Sequence, residues 1–272
     1  MRSLECVIVS EVFLMPRTSL DSKVVLVVGA SSGLGRGFAQ SAAAAGACVA
    51  ITARRATLLR EVVDLVESHG GRCTAFAADA TDTVAAQRVV DDVIKLHRRI
   101  DIALLNVGGA PALDLKRLNA DDITAYMRSN YDVAVNYLVP VLRQMCRQGS
   151  GTVIHTNSLA GWYGIPLQGP YSAAKAALRV LFDAYRAEYR GSGIRFLSIY
   201  PGFIGTERTK TDGMPAPGEI DEDTAVAHMI RAVTGHRDSY SFPRATATAV
   251  ALGRILPARV RHSILARMIP NP

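Results

Sequence analysis

The feature that most constrains the fold is the regular alternation of short apolar runs with longer helix-forming stretches. The apolar runs, rich in valine, isoleucine and alanine, lie at 24–28, 47–52, 72–77, 101–106, 151–157, 194–199 and 239–242. The helix-forming stretches lie at 34–45, 55–68, 83–97, 119–147, 171–190 and 222–235. Strands that alternate with helices form a mainly parallel sheet with right-handed crossovers. The pattern predicts a doubly wound α/β sheet of about seven strands with helices on both faces.

Length and composition support a single main domain. A chain of 272 residues with 49% hydrophobic residues can bury one sizeable core in an open-sheet unit. We expect this domain to span 20–243, between an N-terminal extension at 1–19 and a basic C-terminal segment at 244–272. The extension is short and interrupted by polar residues, so it predicts neither a signal peptide nor a membrane span, and we expect it to be flexible.

The cysteines and histidines show no metal-binding pattern. Four cysteines are scattered without Cys-x-x-Cys spacing or paired histidines, so we predict no metal site and no disulfide framework. A reducing cytoplasm is the expected setting. His155 lies on a predicted strand, where a packed histidine is the favoured interpretation over a catalytic one.

The first predicted strand ends in a glycine-rich turn before a helix. Gly29 permits a tight turn, Gly33 lets the backbone approach a pyrophosphate, and Gly35 allows close helix–strand packing. The free N–H groups and dipole at the start of the helix then favour phosphate. The spacing Gly-x-x-x-Gly-x-Gly differs from the usual Gly-x-Gly-x-x-Gly pattern. We predict a Rossmann-type dinucleotide-binding domain.

Three side chains suited to one proton transfer recur at a close spacing. Tyr171 and Lys175 lie one helical turn apart, and Ser158 lies thirteen residues before the tyrosine. A nearby ammonium stabilises a phenolate, and hydroxyl groups can donate to the oxyanion that develops when hydride reaches a carbonyl. Because no side chain donates hydride, the trio and the glycine turn together predict a cofactor-dependent carbonyl–alcohol oxidoreductase.

These motifs resemble the short-chain dehydrogenase/reductase family, in the family's order, from about Lys23 to about Phe242. The resemblance implies that Tyr171 is the proton donor or acceptor and that Ser158 hydrogen-bonds the reacting oxygen. It implies that Lys175 holds the nicotinamide ribose and that Asn130 anchors a proton-relay water. The implied cofactor-binding residues are Gly29, Ser31, Ser32, Gly33, Leu34, Gly35, Asp79, Ala80, Asn106, Gly108, Tyr171, Lys175, Pro201, Gly202, Ile204 and Thr206. Two places depart from the family pattern, Val107 and Thr156-Asn157.

Cofactor preference is expected to depend on the end of the second strand, which carries Arg54-Arg55 and no acidic residue. An arginine there pairs with the 2′-phosphate of NADP, whereas an aspartate would bind the ribose hydroxyls of NAD. We predict a preference for NADP(H), with Arg54 as the contact and Ser32 as an additional hydrogen-bonding group. The alternative is that both arginines only begin a solvated helix, and NAD(H) is a possible cofactor.

Substrate specificity is expected to depend on the loop before Tyr171 and on the segment after Thr206. Four side chains are predicted to line an apolar pocket there: Trp162, Tyr163, Phe203 and Met214. We expect an apolar ketone, aldehyde or alcohol, with steroid-like, acyl-chain and xenobiotic compounds all open. Trp162 could instead pack in a subunit interface. A dinucleotide-binding sensor or scaffold with little turnover is the alternative function.

The C-terminal segment is basic, because five arginines and no acidic residue follow Asp238. Apolar residues at helical spacing after Pro257 predict a short amphipathic helix. Three interpretations stay open: docking on this subunit or a partner, peripheral contact with an anionic inner membrane surface, and binding of nucleic acid. The last is the least favoured, since no nucleic-acid motif accompanies the charge. The family resemblance further implies a homodimer or homotetramer built on the helices at 119–147 and 171–190.

Overall fold

The computed structural model describes residues 19–206 and 216–267. Its strands are β1 (Val24–Val28), β2 (Cys48–Ala53), β3 (Arg72–Ala77), β4 (Ile102–Leu105), β5 (Gly151–Thr156), β6 (Ile194–Pro201), β7 (Ile204–Gly205), β8 (Ile220–Asp221) and β9 (Ser239–Phe242). Its α-helices are α1 (Gly33–Ala44), α2 (Ala56–Ser68), α3 (Thr83–His97), α4 (Ala120–Met127), α5 (Val133–Gln148), α6 (Gly169–Glu188), α7 (Glu222–Thr234), α8 (Arg244–Ile255) and α9 (Ala258–Ala266).

The main sheet has seven strands in the order β3-β2-β1-β4-β5-β6-β9, and every neighbouring pair is parallel. The predicted doubly wound α/β class is therefore confirmed. Strands β1 to β3 extend the sheet to one side, and the strands from β4 onward extend it to the other side. The order therefore switches between β1 and β4, which are hydrogen-bonded neighbours. In such sheets, ligands bind in the crevice outside the carboxyl ends of the strands at this point. The short pair β7–β8 is an addition to the predicted pattern.

Strand β1 shows how the core is divided between the two faces of the sheet. Val25 and Val27 pack in a layer with buried side chains of α1, α2 and α7. Val24, Leu26 and Val28 point the other way, into a layer with α3, α5 and α6. Alternate residues of a strand face opposite sides, so a strand covered on both faces is apolar throughout. Each fully buried valine or leucine stabilises the fold by roughly 1.5–3 kcal/mol.

The long helix predicted at 119–147 is interrupted. α4 begins with a capping box between Asn119 and Asp122, and a π-helical turn at Arg128–Asp132 separates it from α5. Such turns widen the helix locally and recur at functional sites. Asn130, in the middle of this turn, is only 1% exposed.

The structure describes more of the C-terminal end of the chain than of the N-terminal end. The predicted N-terminal extension lies outside the described residues apart from Ser19. After Pro257 the structure has helix α9, where the sequence predicts a helix, and α8 precedes it. Within 19–206 and 216–267, no helix is both long enough and apolar enough to cross a bilayer.

Candidate active site

The predicted catalytic trio lies where β5 and α6 meet. Ser158 follows β5 by two residues and caps a single 3-10 turn, where its hydroxyl oxygen accepts a 3.1 Å hydrogen bond from the Ala160 N–H. Lys175 on α6 is 3% exposed, and its Nζ donates a 2.8 Å hydrogen bond to the Thr156 carbonyl. The same Nζ lies 5.6 Å from the centroid of the Tyr171 ring. The structure thus brings a buried ammonium to the tyrosine ring beside the end of β5.

Asn157 joins Ser158 to α6, a role that the sequence does not predict. Its Oδ1 accepts a 2.8 Å hydrogen bond from the Ser158 N–H, and its Nδ2 donates a 3.0 Å hydrogen bond to the Lys175 carbonyl. The side chain is 2% exposed. A buried amide with both ends bonded holds its neighbours in one arrangement. The departure from the family pattern at this position is therefore a structural link between two of the predicted catalytic residues.

Asn130 is connected to Lys175 through Gly108 and Gly109 in the loop after β4. Its Oδ1 accepts a 2.8 Å hydrogen bond from the Gly109 N–H, and its Nδ2 donates to the Tyr126 carbonyl at 3.2 Å. Gly108 has φ of 127°, and a Cβ there would collide with Asn130 Oδ1 and lie 3.6 Å from Lys175 Nζ. The four predicted catalytic residues and Gly108 are therefore parts of one site.

The glycine turn has the close contacts that its residues predict. Gly29 has φ of 86°, and a Cβ there would collide with the Asn106 carbonyl oxygen. A Cβ on Gly35 would collide with the Gly29 carbonyl oxygen, so α1 packs directly on the turn. At Gly33, by contrast, the nearest atom to an added Cβ is Thr206 Cγ2 at 3.8 Å. Thr206 therefore lies across the turn from the glycine that is predicted to approach pyrophosphate.

The turn fits a dinucleotide on the chemistry of its own groups. Helix α1 begins at Gly33, its N-cap Ser32 makes no side-chain capping bond, and its first turn has no acidic residue. The N–H groups at the start of this helix thus have no side-chain acceptor from the cap, and phosphate is the group that such a terminus binds.

The two arginines after β2 take different positions. Arg55, at the N-cap of α2, donates from Nη2 to the hydroxyl oxygens of Ser31 and Ser32, both at 2.8 Å. Arg54 is exposed, and its charge helps to hold the pKa of Asp79 below the usual value, after the larger effect of hydrogen bonds from Thr81. Arg55 is therefore the arginine that contacts the glycine turn, and the predicted contact of Arg54 with a 2′-phosphate stays a prediction. In the sequence, the start of a helix at position 56 places Arg55 at its N-cap, and this is the signal that could have favoured Arg55.

The remaining predicted cofactor residues lie at or after the carboxyl ends of β3, β4 and β6 or at the start of α1. Asn136 on α5, which the sequence does not single out, donates a 2.9 Å hydrogen bond to the Ala80 carbonyl and so fixes the turn after Asp79. Leu34 packs against the core, and the Gly202 N–H donates a 2.7 Å hydrogen bond to the Phe242 carbonyl. Ile204 is 7% exposed, in the β7–β8 pair that follows Pro201.

Two of the predicted pocket residues, Trp162 and Tyr163, contact the C-terminal helices. Trp162 stacks on Tyr200 with ring centroids 5.1 Å apart, and the Arg254 guanidinium lies 3.8 Å from the Trp162 centroid. Burial raises the pKa of Tyr163, an effect opposed by the nearby charge of Arg261. Phe203 is partly buried, and Met214 lies outside the described residues. A pocket role for these side chains stays a prediction.

Fold and site together define a dinucleotide-dependent oxidoreductase, and the comparisons with known proteins agree. The family model described as short chain dehydrogenase matches residues 23–215. The chain belongs to this family of short-chain dehydrogenases and reductases.

Among its relatives, an uncharacterized oxidoreductase of Myxococcus xanthus is 31% identical over 238 residues, which cover 88% of this chain and 94% of the relative. The 11-beta-hydroxysteroid dehydrogenase 1A of Arabidopsis thaliana is 34% identical over 206 residues, 74% of this chain but only 58% of that protein. A solved short-chain type dehydrogenase/reductase from Mycobacterium ulcerans matches with a TM-score of 0.75 at 23% identity, over 82% of this chain and 89% of the other. The last of these supports the fold alone.

Proposed function

We propose that this chain is an NADP(H)-dependent oxidoreductase that interconverts a carbonyl and an alcohol on an apolar substrate, with Tyr171 as general acid and base. The observation that carries the proposal is the position of Lys175. Its buried Nζ donates to the Thr156 carbonyl at 2.8 Å and lies 5.6 Å from the Tyr171 ring. Burying an ammonium is costly unless its hydrogen bonds are satisfied and its charge has a use nearby.

In the proposed reaction, Tyr171 transfers the proton and Ser158 binds the reacting oxygen. A bound nicotinamide dinucleotide supplies or accepts the hydride. As the substrate oxygen gains negative charge, Ser158 donates a hydrogen bond and Tyr171 delivers a proton. Lys175 favours the phenolate that remains and holds the nicotinamide ribose. Asn130, fixed by the Gly109 N–H, anchors the water that returns the proton.

The proposed preference for NADP(H) rests on the charge beside the glycine turn. The Arg55 guanidinium lies on Ser31 and Ser32, and Arg54 follows β2 directly. A 2′-phosphate in this region would pair with an arginine through charge-assisted hydrogen bonds and would gain a donor from the serines. We give Arg55 the direct contact and Arg54 a longer-range role.

The proposed substrate is an apolar ketone, aldehyde or alcohol. Support comes from the aromatic side chains Trp162 and Tyr163, which follow Ser158 in the chain, and from Phe203, which follows β6. One relative is named a hydroxysteroid dehydrogenase, and a steroid is an apolar substrate of this class. Acyl-chain and xenobiotic carbonyl compounds are candidate substrates of the same apolar kind.

The experiment that tests the function measures oxidation of NADPH and NADH by the purified protein with a panel of apolar ketones and aldehydes. We expect turnover that prefers NADPH and that Tyr171→Phe reduces by about 1,000-fold, with NADPH binding close to wild type. Tight NADPH binding without turnover on the whole panel would favour the sensor alternative. Failure to bind either dinucleotide would overturn the proposal.

We also propose a homodimer or homotetramer that uses the outer faces of α5 and α6. Val139 and Val180 on these helices are 37% and 58% exposed. Apolar side chains on adjacent helices suit a helix-bundle interface between copies of the chain. Light scattering of Val180→Asp should show smaller particles than wild type, whereas an unchanged mass would place the interface elsewhere.

The proposed setting is the cytoplasm, with peripheral contact at an anionic membrane surface. Leu252, Ile255, Val260 and Ile264 of the C-terminal helices are each at least 46% exposed. Arginines lie on the same helices, and exposed apolar groups beside cations favour anionic lipid. Sedimentation with anionic vesicles should fall when Ile255→Asp and Ile264→Asp are combined. Equal sedimentation of variant and wild type would contradict membrane contact.

A further inference from the structure

The C-terminal helices contact the chain segment that follows Ser158. We use the name C-terminal cap for residues 244–267, which comprise α8 and α9. The Arg254 guanidinium lies 3.8 Å from the Trp162 ring centroid, and that of Arg261 lies 5.4 Å from the Tyr163 centroid. A Cβ on Gly253 would lie only 2.8 Å from the Tyr163 hydroxyl oxygen, so the α8 backbone itself touches Tyr163. The cap is therefore seated on two consecutive aromatic residues.

Trp162 in turn is tied to the elements that carry the catalytic residues. Its ring stacks on Tyr200 of β6, and the Arg179 guanidinium lies 4.8 Å from its centroid. Arg179 is on α6 one helical turn after Lys175, and its Nε donates a 3.3 Å hydrogen bond to the Gly161 carbonyl. Because of these contacts, a movement of Trp162 would also move the loop between Ser158 and Tyr171.

The attachment of the cap is weak apart from these contacts. No side chain of α8 or α9 is fully buried, and Leu252 and Ile255 are 57% and 80% exposed. Among the described residues, no carboxylate forms an ion pair with Arg254 or Arg261. Few buried apolar contacts characterise the parts of a protein that open most easily. The two arginine–aromatic contacts and the contact of Gly253 with Tyr163 are therefore the main attachment of the cap to the loop between Ser158 and Tyr171.

We propose that Arg254 is a positioning residue for substrate binding, because it seats the C-terminal cap on the loop that follows Ser158. Arg254 holds Trp162 against Tyr200, and this keeps the loop between Ser158 and Tyr171 in the arrangement that binds substrate. The arginine acts through the tryptophan and does not touch the reacting atoms. The proposal rests on the proposed oxidoreductase function of the same site.

Trp162 makes the test direct, because it is the chain's only tryptophan. We would compare wild type with Arg254→Leu, Arg254→Lys and the control Arg259→Leu, which removes an equal charge from the cap without an aromatic contact. Acrylamide quenching of Trp162 fluorescence reports whether the cap is seated. Titration with NADPH and steady-state kinetics on a panel carbonyl separate cofactor binding, KM and kcat.

We expect Arg254→Leu to make Trp162 more accessible to acrylamide and to raise KM about fivefold or more, with kcat and NADPH affinity near wild type. Arg254→Lys should restore part of both effects because it retains a cation, and Arg259→Leu should behave as wild type. Equal quenching of Arg254→Leu and Arg259→Leu would overturn the seating of the cap. Increased quenching with an unchanged KM would overturn its role in substrate binding.

The experiment distinguishes this proposal from the proposed function. Quenching requires no substrate, so it decides whether the cap is seated even if no carbonyl turns over. Absence of turnover in wild type, with Trp162 protected only when Arg254 is present, would count against the oxidoreductase function and against the role in substrate binding. It would leave the arginine–tryptophan contact established.

Discussion

Arg55 and Ser32, 23 residues apart in the chain, are joined by a 2.8 Å hydrogen bond from the arginine Nη2 to the serine hydroxyl. The contact links the start of α2 to the N-terminus of α1. Ser31 accepts from the same Nη2 at 2.8 Å, so the guanidinium spans both hydroxyls of the glycine turn. A cation in this position adds to the positive end of the α1 dipole, and a phosphate group bound there would interact with both.

The first prediction follows from this contact. Arg55→Leu should raise the dissociation constant for NADPH by about 10–100-fold, the loss of one or two charge-assisted hydrogen bonds. NADH should bind almost as in wild type, because it lacks the 2′-phosphate. Fluorescence titration of both dinucleotides gives the ratio. Arg54→Leu is the matched comparison, and a larger effect there than at Arg55 would assign the phosphate contact to Arg54.

The difference between the two arginines shows what local sequence can and cannot determine. The absence of an acidic residue after β2 is visible in the sequence, and it predicts a positively charged subsite. Which guanidinium turns toward the glycine turn depends on the direction in which α2 leaves the sheet. That direction is set by the packing of Leu59, Val62 and Val66 against the core. Such packing is a property of the whole domain.

The second prediction concerns Gly108, where an added Cβ would collide with Asn130 Oδ1. Gly108→Ala should displace Asn130 from the Gly109 N–H and lower kcat about 100-fold, because the proton relay loses its anchor. Gly149→Ala is the control: its φ is also positive, at 64°, but nothing lies within 4 Å of the added Cβ. It should cost about 1–2 kcal/mol of stability and leave kcat near wild type. Equal kcat losses in both variants would implicate backbone strain instead.

The third prediction concerns Asn157, which bonds the Ser158 N–H and the Lys175 carbonyl. Asn157→Ala removes the acceptor of the Ser158 N–H and a second bond to the Lys175 carbonyl, so the free energy of unfolding should fall by about 1–3 kcal/mol. The value of kcat should also fall, because Ser158 and Lys175 lose their common support. Urea denaturation and steady-state kinetics measure both effects.

Asn119→Ala provides the matched control for this prediction, because it removes the same side chain from an exposed helix cap. It should lower the free energy of unfolding by about 1 kcal/mol and leave kcat unchanged. If both variants lowered kcat to the same extent, the effect of Asn157→Ala would reflect general destabilisation.

The grouping of Ser158, Tyr171 and Lys175 at one place could be predicted because the three residues are close in sequence. Tyr171 and Lys175 are one helical turn apart, and Ser158 ends a strand, so spacing alone places them near one another. The support for these residues was less visible. Asn136, Asn157 and the C-terminal cap act through contacts between segments far apart in the chain, and no periodic pattern encodes such pairs. The π-helical turn around Asn130 was also missed, since the helical pattern continues through it.

The last prediction concerns His155, a packed strand residue as the sequence analysis favoured. It is 1% exposed, its ring lies 5.0 Å from that of Phe182, and neither ring nitrogen has a hydrogen-bond partner among the described residues. Burial, followed by the charges of Lys175 and Arg186, holds the pKa of His155 well below the ordinary value of 6.5. The ring is therefore neutral in the folded protein at neutral pH.

Unfolding exposes this histidine to water, where its pKa returns to about 6.5. Below that pH the unfolded chain binds one more proton than the folded chain, so stability falls as the pH decreases toward the folded-state pKa. The contribution is at most about 1.4 kcal/mol per pH unit.

Urea denaturation of wild type and His155→Leu between pH 5 and pH 8 should show a shallower loss of stability in the variant. At pH 8 the variant should be more stable by about 1–2 kcal/mol, because two unpaired polar atoms leave the core. The residual slope belongs in part to His97 and His228, whose pKa values burial also lowers. An unchanged slope would mean that His155 binds its proton in the folded state as readily as in the unfolded chain.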